Sequence, residues 1–415
     1  MKHKNIGILH YSTPPVIGGV EAVIKAHTNV FEDNGYKVTI ITGKGDPSAF
    51  SQSVDFHKIT ELDSIHPIIS NLNQQLEVGI IPGSFELTSN NIGEKLTPIL
   101  NQLDALIVHN IFTKHFNLPL TAAIHNLLDQ KVIQNCIAWC HDFTWTSPNS
   151  RHKVFPGYPW DLLRKYRKDI KYIVVSKERQ RTLANLFKVP ENEIHVVYNG
   201  INPDILLGFS PEGFRLIQSL GLMESDINIL MPVRITQAKN IEFALEVIAE
   251  VKNLKYNVKC LLTGPPDPHD SKNMQYFENL KVLRHNLNLE NEFHFIYESN
   301  PNQENEYIIN DTIVGDLYRV SDILFMPSHR EGFGMPVLEA GIVGIPIIST
   351  PIPASNEIAK ENAKIFSLDL EPKKIAIEII EIIKSNPITR LKIETRKNYT
   401  WESIFKQKII PILSH

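Results

Sequence analysis

Short, nearly continuous apolar runs alternate along this chain with longer stretches whose apolar residues recur every three or four positions. Residues 5–11, 37–42 and 105–110 are runs of the first kind, and 20–34 is of the second, closed by Gly35. Runs that are apolar on both faces belong to parallel sheets covered by helices, whereas the three-to-four spacing belongs to an amphipathic helix. The opening therefore predicts a βαβ unit with the loop of residues 14–19 at the carboxyl end of its first strand, where open α/β sheets bind ligands. Residues 45–92 read as irregular, with strand-like pieces near 56–59 and 78–81. A helix is expected over 113–128, a strand over 134–141, a strand over 172–176, a helix over 177–187 and a strand over 194–198. Asn199-Gly200-Ile201-Asn202-Pro203 is turn chemistry and marks an interdomain crossing.

The alternation then restarts, with strands expected over 227–233, 258–263, 292–296, 323–327 and 345–349. Helices are expected near 240–253, 273–287, 313–320, 336–343 and 373–384. The pattern predicts an α/β chain of two doubly wound parallel sheets, residues 1–200 and 201–397, with a cleft at their carboxyl ends. A last helix, 401–412, falls outside the second unit.

Composition narrows the class without naming a chemistry. At 415 residues the chain is too long for one ordinary core, and 42% hydrophobic with 21% charged residues suits a globular protein. A net charge of −4 gives no push toward nucleic acid. Cys136, Cys140 and Cys260 can form neither a four-ligand zinc site nor a disulfide framework, which favours a reducing compartment. Met1-Lys2-His3-Lys4 is basic, but the apolar run at 6–9 is too short for a signal peptide, and no stretch approaches 18 apolar residues. The expectation is a cytoplasmic protein that does not span a membrane. Residues 151–171 hold seven Lys/Arg against two Asp, interleaved with Trp160, Leu162, Leu163 and Tyr166. They read foremost as a solvated helix face, with an anionic acceptor or an anionic membrane surface as the less favoured partners.

The candidate chemistry centres on residues 328–339, Ser-His-Arg-Glu-Gly-Phe-Gly-Met-Pro-Val-Leu-Glu. A strand, a glycine turn and a helix opening at Pro336 make an anion site, because free backbone N–H groups point outward with the helix dipole behind them. Glu331 and Glu339 flank it, and carboxylates beside such a site are natural acceptors for sugar hydroxyls. Each acid alone has an ordinary structural explanation; the joint pattern is more specific. It resembles the E-x7-E signature of retaining GT-B glycosyltransferases, above all glycosyltransferase family 4. The resemblance implies that Glu331 contacts the donor sugar and Glu339 holds the ribose diol of a nucleotide. Phe333, Gly334, Met335, Pro336 and Val337 would line the donor.

Other segments align with the same family pattern. Gly18 and Gly19 match a Gly-Gly turn whose backbone approaches the donor diphosphate. His141 matches a histidine that follows this strand, near the donor sugar, and Asp142 either orients its ring or caps the loop. Arg234 ends a strand and Lys239 opens the next helix, a placement suited to a diphosphate, which Arg can fork and Lys meets as a point charge. In the family, such a pair neutralises the leaving diphosphate. Gly264, in the turn Thr263-Gly264-Pro265-Pro266-Asp267, matches a nucleotide-side glycine, and Tyr297 follows a strand that borders the base. The final helix would pack back on the first domain, which would be the acceptor side, the second binding the nucleotide-sugar donor.

The implied reaction moves a hexose from a nucleotide-diphosphate sugar, of GDP-mannose or UDP-glucose type, to an acceptor hydroxyl with retained configuration. The 109–112 and 141–145 segments look more like family members acting on small or glycerate-type acceptors. No Asp-x-Asp motif is present, so no metal and no cofactor are expected. The alternatives are a GT-B epimerase or phosphorylase, or a non-catalytic nucleotide-sugar-binding partner. A glycosidase using Glu331 and Glu339 fits less well. Retaining glycosidases need carboxyls about 5–5.5 Å apart, whereas eight helical residues span roughly 12 Å at about 1.5 Å each.

Overall fold

The structure, a computed structural model, describes residues 4–266, 272–299 and 307–414; Asp267 of the glycine turn lies outside them. The chain divides into two compact units, Met1–Gly200 with Trp401–His415, and Ile201–Thr400.

The first unit contains strands β1 (Asn5–Ser12), β2 (Lys37–Lys44), β3 (Asp55–Lys58), β4 (Ala105–His109), β5 (Cys136–Cys140), β6 (Ile170–Val174) and β7 (Ile194–Val196). They pair in the order β3-β2-β1-β4-β5-β6-β7, every pairing parallel. Helices α1 (Gly19–Asp33), α2 (Pro67–Leu76), α3 (Phe85–Leu100), α4 (Leu118–Asp129) and α5 (Lys177–Phe187) cover the sheet. All five β4 side chains are buried, as an apolar run flanked by helices requires.

The second unit holds α6 (Pro203–Leu207), α7 (Pro211–Ser219), β8 (Ile227–Met231), α8 (Ile241–Asn253), β9 (Val258–Leu262), α9 (Lys272–Asn286), β10 (Phe293–Phe295), α10 (Asp311–Val320), β11 (Ile323–Met326), α11 (Met335–Val343), β12 (Ile347–Ser349), β13 (Lys364–Ile365), α12 (Pro372–Ser385) and α13 (Pro387–Asn398). Its sheet runs β10-β9-β8-β11-β12-β13, again all parallel. Both doubly wound sheets expected from the alternation are thus present. A final helical run, α14 (Trp401–Ile404), a π turn (Phe405–Ile409) and α15 (Ile410–Ser414), belongs to the first unit, where Ile404, Phe405 and Ile409 join Ile6, Ile8 and Phe31 in one apolar cluster.

Four expectations need correction. Residues 45–92 are not irregular: α2 buries Ile69, Leu72 and Leu76, and α3 opens within the segment. Residues 78–81 form a solvent-exposed turn rather than a strand. Residues 151–171 form no α-helix, because Pro156, Gly157 and Pro159 interrupt it; two short 3-10 turns, Arg151–Lys153 and Trp160–Arg164, take its place. Several of their cations are matched locally: Arg167 meets Asp129 at 2.8 Å and Asp169 at 2.6 Å, and Arg164 lies 3.9 Å over the Trp145 ring. The helix expected from 113 begins at Leu118, where the Asn117 side chain accepts from the Leu120 amide.

Candidate active site

In the second unit two loops at the carboxyl end of the sheet are stitched together. The chain leaving β8 runs beside the turn after β9, with Gly264 N donating to Val233 O at 3.0 Å and Ile235 N to Pro265 O at 3.0 Å. A Cβ on Gly264 would stand 2.5 Å from Val233 O and 2.7 Å from Arg234 Cα, so only glycine permits this approach. Gly264 therefore sets the backbone position of Arg234, whose own side chain is exposed. A 3-10 turn, Gln237–Lys239, and a left-handed Asn240 then lead into α8. The Ala238 carbonyl accepts from His329 N at 2.9 Å, which brings the loop after β11 alongside.

That link places Lys239 Nζ 2.6 Å from Glu331 Oε2, with the two side chains 17% and 10% exposed. Ser328 Oγ donates to Glu331 Oε1 at 2.8 Å. Both carboxylate oxygens are thus occupied, and Lys239 and Glu331 form one charge-balanced unit rather than two separate groups.

Gly334, with φ of 102°, turns the chain into α11 without any side-chain cap. A Cβ there would meet Ile352 Cδ1 at 2.8 Å, and Phe333 O, accepting from Ala354 N at 2.9 Å, holds the turn in place. An uncapped helix start leaves backbone N–H groups for an anion. Phe333 and Met335 are exposed beside it and Pro336 has no N–H, whereas Val337 is buried and its amide already donates to Gly334 O at 3.0 Å. Glu339 lies further along α11, where its Oε2 accepts from the buried Tyr318 hydroxyl at 2.5 Å. Burial and that carboxylate push the Tyr318 phenol well above its usual range. Tyr318 and Ser328 had no signal in the sequence, since a helix tyrosine and a loop serine are ordinary until the fold juxtaposes them with the acids.

The first unit carries the remaining candidates. Gly18, extended, precedes α1, and the Glu21 carboxylate accepts from Ser12 Oγ at 2.6 Å while standing 2.1 Å from where a Gly18 Cβ would be. An acid at a helix start is favoured by the dipole and competes there with any other anion. Gly19 is open, with nothing within 4 Å of an added Cβ.

His141 follows β5, and its orientation comes from elsewhere than Asp142, which pairs with Arg179 at 2.9 Å. Its Nε2 meets His109 Nδ1 at 3.1 Å, the two rings stacking at 5.4 Å, and Asn110 Oδ1 caps the loop by accepting from His141 N at 2.8 Å. Behind them, His10 Nδ1 contacts His109 O at 2.9 Å, and His27 lies against Trp139 and Trp401 at 4.4 and 5.1 Å. Burial, with His10 adding to it, lowers the His141 imidazole to about 4, so the ring is neutral near pH 7. His10 and His27 are lowered to about 4 and about 3, and His109 falls well below its usual value, each chiefly by burial.

A histidine depressed on folding gains a proton on unfolding, so its contribution is intact above the unfolded value near 6.5 and is lost as pH falls toward the folded value. Protonation of His10, His27 and His109 on unfolding should therefore lower stability progressively below pH 6.5, each group by at most on the order of 1 kcal/mol per pH unit. Urea midpoints should fall steeply between pH 6.5 and 4, and His27→Leu should flatten that slope by about one proton. A midpoint constant across this window would contradict the assignment.

Among the described residues no group of three or more His, Cys, Asp or Glu side chains gathers as metal ligands, and no helix is long and apolar enough to cross a membrane. Residues 17–205 match the family Glycosyltransferase Family 4, and residues 214–400 match Glycosyl transferases group 1. Similar proteins include an uncharacterized glycosyltransferase of Methanocaldococcus jannaschii, 26% identical with 57% of this chain and 58% of that protein aligned. Another is the mannosylglucosylglycerate synthase of Petrotoga mobilis, 26% identical over 64% of each. The chain thus matches under two thirds of the length of these relatives. Among solved structures, the Anabaena HepE in complex with UDP-glucose aligns with the full length of both chains at 16% identity and a TM-score of 0.36.

Proposed function

Because the chain belongs to glycosyltransferase family 4, the glycosyl transferases group 1, and carries the two Rossmann-like sheets of the GT-B fold, we propose that it is a retaining hexosyltransferase using a nucleotide-diphosphate sugar. The observation that carries this reading is the convergence in the second unit of exposed Arg234, the Lys239–Glu331 pair and the uncapped start of α11. A leaving diphosphate gains negative charge as the glycosyl bond breaks, and preorganised cations and amides lower that barrier directly. Arg234 and Lys239 are assigned to the diphosphate, Glu331 to the donor sugar and Glu339 to the ribose diol. In this reading, diphosphate binding draws Lys239 partly off Glu331, freeing one carboxylate oxygen for a sugar hydroxyl. His141 is assigned to catalysis as a neutral imidazole, with His109 positioning it. The leaving phosphate would take the acceptor proton during front-face attack.

The donor is of GDP-mannose or UDP-glucose type, and the acceptor a small hydroxyl compound; the name of the Petrotoga relative supports a glycerate-type glycoside. Thermal shift across UDP-, GDP- and ADP-hexoses tests the reading, which expects stabilisation by one nucleotide class. No stabilisation by any of them would contradict it.

Glu339→Ala should weaken binding of the matching nucleoside diphosphate by about 1.5–3 kcal/mol through lost charged hydrogen bonds. Unchanged affinity by calorimetry in the folded variant would remove Glu339 from the ribose. With two cations on the diphosphate, transfer should also survive EDTA. Activity abolished by chelation and restored by magnesium or manganese would refute the metal-free account.

A further inference from the structure

The first unit contains a polar recess of about 380 Å³ that none of the assignments above uses. It lies at the carboxyl end of the seven-stranded sheet, the edge on which open α/β sheets take ligands. Three segments build it: α2 with the residues just before and after it, the loop after β4, and the segment after β5. Ser70, Asn73 and Glu77 come from the first, His115 and Phe116 from the second, and Lys153 from the third.

Its polar groups are fixed before any ligand arrives. Asn73 Nδ2 donates to Phe116 O at 2.7 Å, whereas Asn73 Oδ1 is buried and has no partner among the described residues. Lys153 Nζ lies 2.9 Å and His115 Nε2 3.4 Å from Glu77, and both contacts fall on Oε1, leaving Oε2 for a further donor. His115 is locked by Thr144 Oγ1, 3.0 Å from its Nδ1 and 3.1 Å from its backbone N. Burial keeps that imidazole neutral near pH 7, lowering it to about 4. Lys153 and Glu77 pair within the recess, and the Lys114 ammonium lies beside it, 4.8 Å from the Phe116 ring centroid. Phe116 completes it as an aromatic 39% exposed, its ring steadied by an edge contact with Tyr11 at 5.9 Å.

We propose that this recess takes the uncharged hexose ring of the acceptor glycoside, any charged aglycone lying outside it, which deepens the transferase reading by naming its acceptor class and rests on that reading for the word acceptor. Hydroxyls both donate and accept, so they need a wall offering both roles at fixed positions, as Glu77 Oε2, Ser70 and Lys153 do, while Asn73 holds the Phe116 segment through its carbonyl. A pyranose also presents a face of C–H groups carrying partial positive charge, complementary to the negative face of an aromatic ring. An anionic ligand would instead have to pull Lys153 from Glu77 and leave that carboxylate beside the incoming charge.

The test is saturation-transfer NMR and calorimetry with methyl α-glucoside, methyl α-mannoside and glucose 6-phosphate, without donor present. At least one neutral hexoside should bind wild-type protein, and Asn73→Ala and Phe116→Ala should each weaken it by about tenfold, the loss of one buried contact. Both variants should keep the wild-type urea midpoint and near-UV circular dichroism, which shows that the first unit, which carries both residues, still folds. No binding of either neutral hexoside, equal binding by the variants, or selective binding of the hexose phosphate lost in Lys153→Ala would each overturn the proposal. Because the hexosides are titrated without donor, failure of the transferase reading registers separately, as absent nucleotide binding.

Discussion

Arg234→Ala and Lys239→Ala should each lower kcat by about 10²–10³-fold, roughly 2.7–4 kcal/mol, with a much smaller change in donor KM. The split between the two constants is the informative part. A cation that meets charge already present on the bound donor contributes to ground state and transition state alike and shows in KM. One that meets charge appearing as the glycosyl bond breaks shows in kcat. The two variants differ in what else they disturb. Arg234 is exposed, on a backbone fixed by Gly264, so removing its side chain leaves the local structure intact. Lys239 is the counter-ion of a nearly buried Glu331, so its loss also strands a carboxylate, and Lys239→Ala needs a denaturation control. Arg234→Lys should rescue only in part, since an ammonium cannot fork two phosphate oxygens. A large rise in KM with kcat intact would demote the pair to ground-state binding. No effect on either constant would remove both residues from the site.

The motif residues of this site were legible because they sit where apolar runs end, and a strand end followed by glycine or a helix start is a local pattern. What each residue touches was not legible. That Glu331 pairs with Lys239 depends on the Ala238–His329 hydrogen bond between loops some 90 positions apart, and that His109 rather than Asp142 steadies His141 depends on β4 and β5 being neighbours. In α3 the helical spacing was present, with Phe85, Ser89, Ile92, Leu96 and Leu100 on the buried face. Asn90, Asn91, Gly93 and Pro98 are poor helix formers, so the composition masked the period, and tertiary packing overrode it. The 151–171 segment erred in the opposite direction. Its charges and aromatics suggested a helix face, whereas Pro156, Gly157 and Pro159 rule one out.

Arg396→Leu is expected to destabilise the second unit by about 3–5 kcal/mol, because it leaves a buried carboxylate without its counter-ion. Arg396, on α13, is 5% exposed and Asp322, at the head of β11, is fully buried. The guanidinium meets Asp322 Oδ1 at 2.9 Å and also donates to Ser225 O at 3.0 Å, while Asp322 Oδ2 accepts from Asn228 N at 2.8 Å. This network ties α13 to the starting ends of β8 and β11, the two strands whose far ends present Arg234 and Glu331. Urea denaturation should show a lowered midpoint with an unchanged slope, and Arg396→Leu with Asp322→Asn should recover part of the loss. A single-variant loss below about 1 kcal/mol, the range of a surface pair, would contradict the assignment.

Proton NMR of a reaction of the purified protein, an α-linked UDP- or GDP-hexose and a methyl hexoside in EDTA tests the central claim most directly. The account predicts loss of the donor anomeric signal, matched by a new α-glycoside signal and an equal amount of nucleoside diphosphate. A β-glycoside, free hexose in place of a glycoside, or an unchanged donor with every nucleotide would contradict it.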